Sequence, residues 1–143
     1  MPDPSPDPFA LQRFVDAQQP VYTQVTAELA AGAKTSHWMW FIFPQLKALG
    51  RSATALHYGL VSRDEAHAYW CHALLGPRLA ECSTLVLNTS GRSALQIFGA
   101  TDAMKLRSCM TLFEAVAPEA PVFAQVIDRF HDGQRDPLTL ALL

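Results

Sequence analysis

The chain has 143 residues, a formal net charge of −2, and hydrophobic side chains at half of its positions. That length fits one domain able to bury a core without disulfide or metal staples, and the charge offers no basic field for a dedicated nucleic-acid binder or for anionic lipid. The apolar run Trp38–Phe43 ends at Pro44, far short of the roughly 18–20 residues that span a bilayer.

In chain order, MPDPSPDPFA is acidic and proline-rich with no cationic start, so it is not expected to be a signal peptide. Residues 1–7 are expected to be a disordered lead-in, because alternating prolines oppose both helix and ladder. Residues 8–143 are expected to form a single helical domain. Asp7-Pro8 reads as an N-cap with proline at the first helical position, followed by Leu11, Phe14, Val15 and Gln18 at helical spacing. Pro20 breaks that helix. Val21, Tyr22, Val25 and Leu29 stripe the next one, and Gly32 suits its C-terminal cap.

The stretch SHWMWFIFPQ, residues 36–45, is at most two helical turns, because Pro44 disfavours helix at Phe43. Thr35 or Ser36 would cap it. A segment apolar on all sides is expected in the core. Ser62-Arg63-Asp64-Glu65 is a capping-box pattern opening a helix to about Trp70. Leu75, Leu79, Cys82 and Val86 mark another helix, with Pro77 confined to its first turn. Ser93 to Gln96 is a second capping box, and Gly99 closes that short helix. Thr101 is expected to cap the next helix, with Asp102 in its first turn and Leu106, Cys109, Met110, Phe113 and Ala117 as its buried stripe. Val122, Phe123, Val126, Ile127 and Phe130 stripe a further helix that ends before Gly133. No period-two alternation of useful length occurs. The fold class expected is all-α or mainly α: a single compact orthogonal helical domain of about seven helices. Cys71, Cys82 and Cys109 are odd in number and widely spaced, which reads as free thiols in a reducing cytoplasm.

Several strings together carry a resemblance. They are Phe14-Val15-Asp16-Ala17-Gln18, Lys34 through Gln45 (KTSHWMWFIFPQ), Leu49-Gly50-Arg51-Ser52, Leu75 through Leu79 (LGPRL), Ile97 through Ser108 (IFGATDAMKLRS) and Asp136 through Leu140 (DPLTL). With them, the chain resembles the bacterial family called domain of unknown function 1810, whose members sometimes carry the label "calpastatin". The resemblance runs from about Phe9 to Leu143. It implies a compact, mainly helical domain and supplies no established activity. Cys109 departs from the pattern, where the resemblance leads to a serine, and this leaves Ser108 as the hydroxyl of the pair. A fainter likeness to the NADAR family (NAD- and ADP-ribose-associated) rests on His57-Tyr58 and the helix containing Lys105.

The polar residues that abut apolar segments are the candidates for chemistry. Lys105 and Ser108 lie about 60° apart on one helix and flank its buried stripe. Near a helix start they suit a phosphate or carboxylate. Trp38 or Trp40 would offer a stacking face. Gln45, Arg51 and His57 complete the expected ligand-binding set, with Arg51 ranked above Arg107, because arginine recognises phosphate bidentately and Arg107 shares a face with Glu114. His37 is the expected general acid or base, partly buried against Trp38 or Trp40 at a helix start. Asp102, the only acid in a distinctive motif, is the second catalytic candidate, although capping or dipole pairing explains it without catalysis. His67 and Cys71 have i, i+4 spacing but lack further ligands, so no metal and no cofactor is expected. The function expected is binding or processing of a small anionic ligand, a nucleotide or ADP-ribose-like compound. The alternative is a protein-interaction module presenting an apolar groove. A helix face left for a second copy would make a homodimer.

Overall fold

The structure is a computed structural model that describes residues 7–143. The expected disordered lead-in therefore lies outside the described residues, apart from Asp7. Ten α-helices follow in order: α1 (Gln12–Gln18), α2 (Tyr22–Ala31), α3 (Met39–Ile42), α4 (Ala53–Tyr58), α5 (Arg63–Cys71), α6 (Leu75–Asn88), α7 (Ala94–Phe98), α8 (Ala100–Val116), α9 (Val122–Phe130) and α10 (Pro137–Leu142), with a 3-10 turn at Lys47–Leu49. Among the described residues the sole β-type pairing is one isolated parallel bridge, Leu46 to Leu60. The all-α expectation holds, with more helices than the seven expected. Two that carry no readable stripe, α4 and α10, have six residues each, too few for a hydrophobic period to show.

α8 is the central element. It packs against α5, α7, α9 and α10, while α6 packs against α2, α5 and α9. Its stripe Leu106, Cys109, Met110, Phe113 and Ala117 is fully buried. It joins Trp38, Ile42, Leu79, Val126 and Ile127 in one apolar cluster, with Phe41 packed at its edge. Phe113 and Phe123 stack in a tilted pair at 5.8 Å, and Tyr69 meets Phe14 edge-on at 5.0 Å. Such pairs add to the area term that drives the collapse.

Local chemistry sets the helix ends, with several departures from expectation. Asp7 accepts from the backbone N–H of Leu11 at 2.7 Å and of Gln12 at 3.0 Å. It thereby closes a turn in which Ala10 sits at φ 53°, and α1 begins only after it. Gly32 caps α2 at φ 68° as expected. Ser93 and Gln96 form the full reciprocal box. At α5 only half of the box forms. Ser62 accepts from Glu65 N–H, but the Glu65 carboxylate turns to Val61 N–H at 2.8 Å and to Arg13 at 2.9 Å. Neither Thr35 nor Ser36 caps α3. Its N-cap is Trp38, without a side-chain bond. Thr101 does not cap α8, which already starts at Ala100 after Gly99.

Two buried polar side chains hold the elements in register. Gln18 donates to Phe41 O at 2.7 Å and to Tyr69 Oη at 3.0 Å, and accepts from Arg78 at 3.3 Å. It thus ties α1 to α3, α5 and α6. Glu28 accepts from Thr35 N–H, Ser36 N–H, Ser36 Oγ, Gln24 and the Trp38 indole N–H, all within 2.7–3.0 Å. Burial alone would raise its pKa, but these bonds overcome that and bring it down to about 2, because hydrogen bonds to the charged form favour it.

Candidate functional site

The chain between α3 and α4 is pinned by the parallel bridge. Lys47 N–H donates to Leu60 O at 2.7 Å, and Leu60 N–H donates to Gln45 O at 3.0 Å. Gly59 lies so close to Lys47 that an added Cβ would sit 2.4 Å from the Lys47 Cα. This close approach sets Gln45 and Leu49 opposite the first turns of α8. The facing side of α8 presents Thr101, Met104, Lys105 and Ser108 at i, i+3, i+4, i+7 spacing, which places them on one face. The start of α10, at Asp136 and Leu138, closes the far side. The result is a groove of about 250 Å³. Gln45 and Lys105 also line a narrow slot with Trp40 and Tyr58 that has room for about 10 Å³, on the order of one water molecule.

The electrostatics of the groove follow from a short set of charges. Lys34, largely buried, pairs with Asp102 at 2.8 Å, and Lys105 approaches the other Asp102 oxygen only to 3.9 Å. The Lys105 ammonium lies 5.2 Å from the centroid of the Trp40 ring, a cation–π distance. Across the groove floor Arg107 stands 3.8 Å from Asp136. Burial would raise the Asp136 pKa, but bonds from Thr139 and Ser108 side chains and from the backbone N–H groups of Leu138 and Thr139 lower it. His131 is held toward its neutral form by burial and by the Arg107 charge. Three cations therefore face two carboxylates, and the surplus positive charge resides mainly on Lys105.

Of the residues expected from sequence, Gln45, Lys105 and Ser108 line the groove, and Trp40 lines the adjoining slot with Gln45 and Lys105. Ser108 donates to Asp136 Oδ2 at 2.8 Å, so its hydroxyl shapes the wall. Asp102 stands beside Lys105, neutralised by its two lysines. Trp38 is 2% exposed, with its indole N–H bonded to Glu28 and Lys34 4.9 Å from its ring centroid. It is a core residue, with no face left for stacking. His37 is exposed rather than partly buried, and it lines neither recess. The reason is that Glu28 holds the backbone N–H groups of Thr35 and Ser36 and the indole of Trp38 inward, which leaves the side chain between them directed to solvent. Arg51 is exposed too, in the turn before α4. His57 meets Tyr58 edge-on at 4.6 Å and borders a different recess, with Phe9 and Arg13. Arg107, ranked below Arg51 from sequence, lines the groove, since its long side chain reaches the α10 start. Asp136 was not a candidate. The Asp-Pro step opening the tail, an N-cap signature, is the signal that could have found it.

The thiols are not assembled for catalysis. Burial pushes Cys82 up to about 12 and Cys109 well above its ordinary value, which disfavours the nucleophilic thiolate. Cys71 is exposed, and its sulfur lies 3.8 Å and 3.7 Å from the two ring nitrogens of His67. Near-equal distances mean that neither nitrogen points at the sulfur. Among the described residues no group of three or more His, Cys, Asp or Glu is placed to hold a metal ion. No described helix is long and apolar enough to cross a membrane.

Among curated proteins none matches the chain. Among solved structures it is similar to the conserved hypothetical protein Rv1873 from Mycobacterium tuberculosis, with 51% sequence identity and a TM-score of 0.94, covering 96% of this chain and 98% of that one. The family model described as "Protein of unknown function (DUF1810)" matches residues 8–143, and the chain belongs to that family.

Proposed function

We propose that the chain binds a small anionic ligand in the groove between the Gln45–Leu49 segment and α8, with Lys105 as the anchoring cation. The observation that carries this reading is the position of Lys105. It lines both recesses, and its one carboxylate neighbour among the described residues is already engaged by Lys34. A concave site with a few converging polar groups is the ordinary form of a ligand pocket. Binding rather than turnover is the activity favoured, because Asp102 is neutralised and His37 lies outside the groove. The ligand class extends from nucleotides and ADP-ribose-like compounds to simple carboxylates and phosphates. We place the activity in the bacterial cytoplasm, where thiols such as Cys71 persist in reduced form.

The test is a thermal-shift screen with nucleotides, NAD derivatives, sugar phosphates and small carboxylates, run on the native chain and on Lys105→Met. A ligand at 100 times its Kd stabilises by about 2.7 kcal/mol. The expected result is a stabilising compound whose effect disappears in Lys105→Met. A panel with no active member, or one indifferent to Lys105, refutes the reading. A second reading, a protein-interaction surface, is favoured by the exposed leucines of α10: Leu138 is 64% exposed, and Leu140 and Leu142 are 52% exposed each. Under it a second copy is one partner, and size-exclusion chromatography of Leu140→Ser would show a dimer lost.

A further inference from the structure

We infer that the ligand of the groove is a monoanionic amphiphile, with its single acidic group at Lys105 and an apolar body along Leu49, Met104 and Leu138. This rests on the anion-site reading above and narrows it.

The charge balance argues for one negative charge. Asp102 takes Lys34 at 2.8 Å and leaves Lys105 at 3.9 Å, so one ammonium is under-compensated. Arg107 already faces Asp136, whose carboxylate is kept ionised by the Ser108 and Thr139 hydroxyls. A ligand with several negative charges would meet one surplus cation and an ionised carboxylate in the same wall. That arrangement leaves charge unpaired as water is expelled.

The lining argues for an apolar body. The exposed surface of the groove is predominantly apolar. Met104, on α8, is 65% exposed and Leu138, at the start of α10, is 64% exposed. Large apolar side chains left in water along a cleft mark a surface that gains by being covered, and a methionine adapts readily to an irregular partner. The aromatic slot beside Trp40, with room for about 10 Å³, does not admit a nucleobase in this conformation. The body of the ligand therefore lies in the wider apolar groove.

The test is calorimetric titration of the full chain with hexanoate, octanoate, AMP and inorganic phosphate at constant ionic strength. Octanoate is expected to bind about tenfold more tightly than hexanoate, the gain from two further buried methylenes. Lys105→Met should weaken octanoate binding at least about tenfold, the loss of one charge-assisted contact. Leu138→Ser, at an exposed position that the fold tolerates, should reduce the hexanoate-to-octanoate gain. Lys105-dependent binding of AMP with no binding of octanoate overturns this inference and leaves the anion site standing. No binding by any of the four also overturns this inference, while the wider screen above decides the anion site. Octanoate uptake indifferent to both substitutions is general surface adsorption and also overturns it.

Discussion

A single carboxylate does the most organising work in the fold. Glu28 gathers five donors from α2, the loop after it and Trp38, and it decides where the Trp38–Gln45 segment enters the core. Its folded pKa of about 2 lies below its unfolded value of roughly 4.3. The stability it contributes is therefore complete above the unfolded pKa and is lost as pH falls toward 2. Asp136, also lowered, acts in the same direction. Glu28→Gln is expected to cost about 2–3 kcal/mol at pH 7, since an amide nitrogen replaces an acceptor among buried donors. The variant should also show a shallower loss of stability between pH 5 and pH 3. Urea unfolding at three pH values checks both; an unchanged midpoint would show the bonds to be incidental. None of this was legible in the sequence. Glu28 sits in an ordinary helical stretch, and its donors come from residues that only the folded chain brings within reach.

At the scale of elements, the stripes were readable and the breaks were not. α6, α8 and α9 appear in the sequence as apolar residues at helical spacing, and the structure buries those faces. The short helices α4 and α10 escaped because six residues hold too little of a period to detect. The junction between α5 and α6 shows what spacing cannot convey. An ideal Cβ on Gly76 would lie 2.0 Å from the carbonyl oxygen of Trp70, so backbone meets backbone there. Gly76→Ala is expected to destabilise by about 2 kcal/mol or more, the cost of overpacking against an atom that cannot rotate away. A melting temperature equal to that of the parent chain would refute the tight junction. The candidate site was legible to the same partial degree. Lys105, Gln45 and Trp40 were legible as polar or aromatic groups beside apolar runs, whereas Arg107 and Asp136 enter the groove because α10 folds back onto α8.

For the whole molecule, one apolar cluster draws on residues from Leu11 to Ile127, and the polar ties cross it. Arg13 of α1 reaches Glu65 of α5. Arg135, just before α10, reaches Glu114 of α8 at 2.7 Å and Asp128 of α9 at 3.0 Å. No segment between those limits has a core of its own. Unfolding is therefore expected to be a single cooperative transition, with tryptophan fluorescence and far-ultraviolet dichroism giving coincident midpoints. Separate midpoints would mean that α9 and α10 melt independently of α1 to α3. The breadth of the cluster also explains why the fold class was readable from composition and pattern while the pairing of elements was not: α6, α8 and α9 each carry a buried apolar stripe, and a stripe does not say which neighbour covers it.

The three tryptophans occupy three distinct settings, and each carries its own spectroscopic label. Trp38 donates its indole proton to Glu28 inside the core. Trp70 donates to Glu119 at the surface. Trp40 lies half-buried under the Lys105 ammonium in the slot beside the groove. In a nitrogen-correlated proton spectrum these give three indole signals that exchange with deuterium at different rates, Trp38 slowest. The Trp40 signal is then a resident reporter that moves when an anion draws Lys105 away, while the Trp38 signal holds still and certifies that the fold has not changed.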